Sequence, residues 1–218
     1  MYFASRLQAG RMLAAKLVPK YRYEDCAIVC LNDGGVMVGA QIAMELHTVL
    51  TMLLTEEINL PMEPEAIAGI SADGSFSYNP YYHPGELEEL TSEFFQYIEA
   101  EKLTKMHDMG RLLGAGGLIS RDLLRGRNII IVSDGLKNSF QLDIAMQYLK
   151  PVAYKKLIVA VPLASVQTVD RMHVMADELY CLSVVPEYID TNHYYDKQDV
   201  PSHEKVIEVI EKIILNWK

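Results

Sequence analysis

The sequence predicts an α/β protein: a twisted, mostly parallel sheet of about five strands with helices on both faces and a small additional β element. Three observations carry that expectation. Continuous apolar runs at 27–31, 129–132 and 157–161 read as strands buried on both faces. Segments of helical apolar spacing alternate with them, which calls for right-handed crossovers and parallel pairing. The chain has 218 residues, 50% of them apolar, enough to bury a substantial core, so a single domain over 1–218 is expected.

Taken in order, Leu7, Leu13, Ala14 and Leu17 share one helical face, and Pro19 is expected to end that helix. Ala27 to Leu31 is a buried strand. After the loop of Asn32, Asp33, Gly34 and Gly35, the spacing of Val38, Ile42, Ala43 and Leu46 makes a helix, and Thr48 to Leu54 a second strand. This is a βαβ unit. Residues 56–82 change character, with prolines and an Asp73-Gly74 turn between Ile67–Ser71 and Ser75–Tyr78, which predicts a hairpin. Glu86 to about Met109 reads as one long amphipathic helix, with Leu87, Leu90, Phe94, Ile98 and Met106 on one face. Gly110 to Ser120, containing Gly-Ala-Gly-Gly, matches no regular element.

The run Ile129 to Val132 then ends in Ser133, Asp134 and Gly135 and passes into a helix marked by Leu142, Ala145, Met146 and Leu149. Leu157 to Val161 is a strand, Val166 to Met175 a helix, and Leu179 to Val184 a last strand. Pro201 and Ser202 start a terminal helix with Val206, Ile210, Ile213 and Ile214 facing inward, Ser202 serving as its cap.

Composition narrows the class further. Cys26, Cys30 and Cys181 are an odd set without framework spacing, which points to a reducing compartment; Cys26 and Cys30 read as small core residues of one strand. No charged amino-terminal region precedes a long apolar stretch, and nowhere do eighteen apolar residues run together. A soluble cytoplasmic protein without a membrane partner is expected. A formal net charge of −9 argues against a nucleic-acid surface and makes a polyanionic ligand harder to attract. His83, His173 and His193 lack metal-ligand spacing, so no metal site is expected from them.

The carboxyl end of a buried parallel strand is where an α/β protein places its ligand, against the N–H groups that start the next helix. At Val132, Ser133, Asp134, Gly135, Leu136, Lys137, Asn138, Ser139, Phe140 and Gln141 the chain resembles the type I phosphoribosyltransferases, whose strand ends in two acids and a Thr-Gly-x-Thr loop. Further matches run in the same order. Arg6, Ala9, Gly10, Arg11, Leu13 and Ala14 resemble the family's opening helix, and 27–46 resembles its strand and Leu-Pro-Arg-Gly-Gly-Val loop. Pro61 to Ile70 is similar to its Asn-Pro-Glu-x-Ala-x-Gly-Ala segment, and Leu157 to Ser165 to a late strand ending Val-Pro-Val-Ala-Ser.

The resemblance implies a type I phosphoribosyltransferase-like fold with a hood over about 56–82, to which Tyr78, Tyr81 and Tyr82 would belong, and a mobile loop at 110–120. It implies that Asp134 holds ribose hydroxyls, that Ser133, Gly135, Lys137, Asn138 and Ser139 cradle a phosphate, and that Asp33, Gly34 and Gly35 line a pyrophosphate pocket. Magnesium is implied if phosphoribosyl pyrophosphate is bound, and Tyr188, Tyr194 and Tyr195 lie where the family often stacks a base.

The chain departs from that pattern in charge. One acid of the pair is Ser133, the Thr-Gly-x-Thr is absent, Asp33 stands for an Arg, and Glu56 and Glu57 stand for an Arg-Lys pair. At ~4 to 6 Å and an effective dielectric near 20, each unit contact is worth roughly 3 to 4 kcal/mol before screening, so the reversals turn attraction into repulsion. Simpler roles compete at each position. Asp134 could satisfy backbone donors of its own turn, Asn138 or Ser139 could cap the next helix, and the tyrosines could be packing residues. Two functions follow. One is a protein of this family that binds a small anionic ligand such as a ribose phosphate, with transfer weak or lost; the other is a non-catalytic regulatory or assembly protein, in either case with a homo-oligomer conceivable.

Overall fold

A computed structural model of the chain describes residues 2–63, 65–113 and 121–215, the last two of these and Leu113 in backbone only. In chain order the elements are α1 (Arg6–Tyr21), β1 (Cys26–Cys30), α2 (Asp33–Leu46), β2 (Val49–Met52), β3 (Thr55–Asn59), β4 (Ala66–Ser71), β5 (Phe76–Tyr78), α3 (Pro84–Glu93), α4 (Phe95–Leu113), β6 (Asn128–Val132), α5 (Phe140–Leu149), β7 (Lys156–Ser165), α6 (Val166–Met175), β8 (Glu178–Val185) and α7 (His203–Leu215). The described residues fall into two compact units. One is drawn from Met1–Met52, Ile119–Ser139 and Val152–Lys218, the other from Leu53–Leu118 and Phe140–Pro151.

The first unit holds a five-stranded sheet in the order β2-β1-β6-β7-β8, with every neighbouring pair parallel. The expected α/β class is therefore what the chain forms. Every residue of β1 (CAIVC) and β6 (NIIIV) is buried, as strands covered on both faces require, and Cys26 and Cys30 are small core residues there. β1 begins and ends one residue before the 27–31 run. Pro19 does not end α1: the helix continues to Tyr21, where the Arg22 N–H still reaches the Val18 carbonyl at 3.2 Å. A proline this near the end removes only one internal bond, and the burial of Leu17 and Tyr21 favours the last turn.

α1 lies hard against α2. A Cβ on Gly10 would stand 2.6 Å from the Val38 carbonyl oxygen, so only glycine permits that approach. α2 starts one residue after Asn32, whose side chain accepts the Gly35 N–H at 2.6 Å, and it stops at His47, in the left-handed conformation at φ 55°. Asp33, Gly34 and Gly35 are thus the first turn of a helix rather than a loop, because the Asn32 cap begins the helix before them.

The second unit holds the antiparallel sheet β3-β4-β5. The hairpin about Asp73-Gly74 forms as the turn chemistry requires, with Gly74 at φ 86° and the Gly74 N–H bonded to the Ser71 carbonyl. β3 has no counterpart in the sequence reading, since Glu56 and Glu57 interrupt its apolar pattern. The long helix expected from 86 begins earlier, at the Pro84 that a first turn favours, and is broken at Phe94 (φ −100°, ψ 19°). Residues 110–113 of the expected irregular segment close α4, and the remainder of that segment lies outside the described residues. Ile58, Ile67, Ile70, Ile98 and Met109 form this unit's core, with Leu87, Leu90, Phe94 and Met106 packed on it.

Candidate functional site

The carboxyl ends of β1 and β6, within the first unit, bring two of the singled-out segments together. Asn32 at the end of β1 donates through Nδ2 to Ser133 Oγ at 3.2 Å, and Ser133 Oγ in turn donates to the Gly135 carbonyl at 3.0 Å. A Cβ on Gly34 would lie 2.0 Å from Asp134 Oδ2, so the first turn of α2 presses its bare backbone against that carboxylate. Ser133, Asp134 and Gly135 are all buried, Asp134 at 5% exposure.

Asp134 has an internal partner. Arg6 Nε donates to Asp134 Oδ2 at 2.7 Å, and Arg6 itself is 1% exposed. The same guanidinium donates to Asn192 Oδ1 at 2.7 Å and to Asp199 Oδ1 at 3.3 Å, and its carbon stands 4.4 Å from the centroid of the Tyr195 ring. Tyr195 donates its hydroxyl to the Asp134 carbonyl at 2.6 Å. Burial pushes the Asp134 carboxyl above its usual range, while Arg6 and Asn32 pull it back. With a guanidinium at 2.7 Å the pair is best described as ionised, two carboxylates around one cation.

The remaining candidates divide by exposure. Leu136 runs beside Ala164 in a parallel bridge, its N–H bonded to the Leu163 carbonyl and its carbonyl to the Ser165 N–H, each at 3.0 Å. That stitching keeps the parallel register of β6 and β7 and carries the chain on alongside β7. Lys137 keeps an exposed side chain while its carbonyl accepts from Thr168 Oγ1 at 3.1 Å; Asn138 is half-buried and Ser139 buried. Asp33, with a side chain 32% exposed, meets His203 Nδ1 of α7 at 2.9 Å. Glu56 and Glu57 lie on β3 in the second unit, where Glu56 pairs with Lys105 at 3.5 Å and burial pushes the Glu57 carboxyl up.

The partners Arg6, Asn32, Asn192, Asp199 and His203 carried no assigned role in the sequence reading, and Tyr195 was placed there only where the family often stacks a base. Arg6 had a signal, its place in the opening-helix match; Asp199 and Asn192 had none, because a contact across more than 180 positions leaves no local pattern. Tyr194 and Tyr195 are buried, and Tyr188 packs beside Tyr194 with ring centroids 5.4 Å apart. In the second unit, Tyr78 and Tyr82 line a cavity of about 460 Å³ with Asn79, Pro80, Pro84 and Leu87. His83 caps α3, and His193 meets the Tyr2 hydroxyl at 3.0 Å.

Two curated relatives, from two strains of Mycobacterium tuberculosis, are each 26% identical to this chain over 211 residues, 96% of its length, and both are provisionally named phosphoribosyl transferase. The chain is similar to these two proteins along nearly its whole length. It spans 46% of the length of those two proteins, about half. No family profile matches it. A crystal structure of a Thermus thermophilus protein shares the fold, with a TM-score of 0.70 and 24% identity, covering 100% of this chain and 99% of that one. The α/β class that the sequence implied, a parallel five-stranded sheet with alternating helices, is thus a fold this chain shares with that protein. Among the described residues no helix is long and apolar enough to cross a membrane.

Proposed function

We propose that this chain binds a small anionic, ribose-phosphate-like ligand at the carboxyl ends of β1 and β6, and that phosphoribosyl transfer there is weak or lost. The observation that supports the reading is the state of Asp134. The acid that would hold ribose hydroxyls is buried and already bonded by Arg6. Transfer requires stabilising a departing pyrophosphate and an oxocarbenium-like sugar, which calls for cationic groups facing the ligand. Arg6 spends its charge on Asp134 and Asp199, leaving Lys137 as the exposed cation among the candidate residues. A helix start and a single ammonium suit one phosphate better than a diphosphate.

Magnesium would enter with a diphosphate ligand rather than occupy a protein cage. Among the described residues no group of three His, Cys, Asp or Glu side chains is placed to hold a metal. Asp33, half-buried and bonded by His203 through Oδ1, is the candidate carboxylate with an accessible face. The chemistry that magnesium supplies when bound is charge neutralisation on the phosphates.

The internal neutralisation of Asp134 also favours the second reading, a non-catalytic regulatory or assembly protein. Calorimetric titration separates them. Saturable binding of ribose 5-phosphate, with pyrophosphate release from magnesium phosphoribosyl pyrophosphate at background rate, is the expected result. Silence toward both ligands together with a stable oligomer would select the regulatory reading, and rapid pyrophosphate release would overturn both.

A further inference from the structure

The second unit carries a cleft of about 460 Å³ between one face of α3 and the segment that leads into that helix. Tyr78, Pro80 and Tyr82 form one wall. Pro84, Leu87, Glu88 and Thr91, spaced by three and four as a single helical face, form the other. At 1.5 Å per residue that face is about 10 Å long, the reach of roughly three residues of an extended chain. α3 has no fully buried residue, although Leu87 and Leu90 pack partly on the unit's core. A helix of ten residues is marginal by itself, so a body laid along its outer face would stabilise it.

The walls define what that body is. Their neutral polar groups, apart from the exposed Tyr78 hydroxyl, are already bonded. Asn79 Nδ2 donates to the Ala66 carbonyl at 2.7 Å and its Oδ1 accepts the Tyr81 N–H at 3.0 Å; the Tyr82 hydroxyl donates to the Glu65 carbonyl at 3.0 Å, and Thr91 Oγ1 to the Leu87 carbonyl at 2.7 Å. Pro80 and Pro84 have no N–H to offer. Apolar surface, tyrosine faces and carboxylate charge are what stay open. Glu88 stands in the wall itself, and burial of the Tyr82 phenol together with the nearby Glu63, Glu65 and Glu86 carboxylates raises that phenol's pKa. No lysine or arginine occurs between Arg22 and Lys102, and His83 is spent as the cap of α3, accepting the Gly85 N–H at 3.4 Å. Lys102 itself is held over the Phe76 ring at 3.8 Å and by Glu99 at 2.6 Å, while the Tyr78 ring meets Phe76 edge-on with centroids 4.8 Å apart. Next to the cleft, then, the chain already holds a cation with an aromatic face and a carboxylate. An anion would be repelled here, and a neutral polar molecule would find few open partners. A cation on an apolar stem satisfies both walls, its stem against Leu87 and the prolines and its head against tyrosine and carboxylate.

We propose that this cleft docks an extended basic segment of a partner protein, with Lys or Arg side chains at alternate positions laid over Tyr78 and Tyr82 toward Glu86 and Glu88. The occupant is a peptide rather than a free amine because the cleft runs the length of about three residues, and alternate side chains of an extended chain point to one side, so two cations reach the wall together. The reading stands whether or not the carboxyl-end crevice binds a ribose phosphate.

The test titrates the full chain with the peptide acetyl-Ala-Arg-Ala-Arg-Ala-amide, following backbone amide shifts by NMR. Saturable shifts within residues 78–91 that weaken as salt is added are expected. Glu86→Gln with Glu88→Gln, both exposed, should weaken binding roughly three- to tenfold, the scale of two exposed ion pairs. Tyr78→Leu, at a side chain 40% exposed, should weaken it roughly two- to fivefold, the scale of one exposed cation–π contact. The same peptide with Glu in place of Arg should not bind. Putrescine binding as tightly as the peptide would exclude a peptide as the occupant. No saturable shift, shifts spread over acidic surface outside 78–91, or variants that fold and bind like the parent would each overturn the proposal.

Discussion

Arg6 shows at the level of single residues how one buried charge can hold two carboxylates from distant parts of the chain. Its guanidinium is 1% exposed and lies between two carboxylates, so it neutralises charge that burial would otherwise penalise. Removing one partner of such a pair leaves the other stranded. Asp134→Asn is therefore expected to lower stability by about 3 kcal/mol, moderated by the contact to Asp199, as read by urea denaturation. A loss below about 1 kcal/mol would mean that the pair is not the anchor described here. Gly34→Ala tests the same point from the other side. Its Cβ would stand 2.0 Å from Asp134 Oδ2, and a carboxylate held by Arg6 has little room to move, so a cost of roughly 1 to 3 kcal/mol in thermal unfolding is expected.

At the scale of elements, caps and breaks mark where local chemistry and packing agree or part. Asn32 caps α2 and also bonds Ser133, so Asn32→Ala should cost about 1 to 2 kcal/mol, detectable as a lower denaturation midpoint. Much of the element pattern was readable beforehand: the β1-α2-β2 unit, the Asp73-Gly74 hairpin and α6 at Val166–Met175 all follow from apolar period or turn residues. The break at Phe94 was not readable, because the apolar stripe continues through it. From Leu87 to Met109 a straight helix would run about 33 Å at 1.5 Å per residue, longer than the roughly 20 Å spanned by a six-residue strand such as β4. Bending at Phe94 lets Leu87 and Leu90 on one half and Ile98 and Met109 on the other reach the same core. β3 was hidden for a different reason, since its pairing with β4 rests on backbone bonds that Glu56 and Glu57 neither supply nor prevent.

For the molecule as a whole, charge and chain order set the remaining expectations. Glu178 opens β8 and joins the ends of α1 and β7. Burial pushes its carboxyl up, but hydrogen bonding to Lys20, Tyr21 and Lys156 outweighs that and holds it at about 2. A folded pKa below the unfolded one contributes stability that is fully present above about pH 4.5 and lost as pH falls toward 2. The gap between the parent and Glu178→Gln should thus be about 1 kcal/mol at pH 6, after screening, and close by pH 2; a gap independent of pH would refute the assignment. The second unit is discontinuous in sequence, and the reason lies in contacts that no local pattern carries. A Cβ on Gly69 of β4 would meet Ile144 Cδ1 at 2.3 Å and Phe140 Cζ at 2.9 Å, so α5 packs with a strand some seventy positions earlier. The alternation of buried strands and amphipathic helices was written in the residue order, because apolar period reports which face of each segment leaves water. The identity of the group that neutralises Asp134 was not, because Arg6 lies 128 positions away and only the folded chain brings a side chain from α1 against the end of β6. Burial is a property of each segment, whereas charge compensation in a core is a property of the three-dimensional neighbourhood, and it is the second that decides what this crevice can hold.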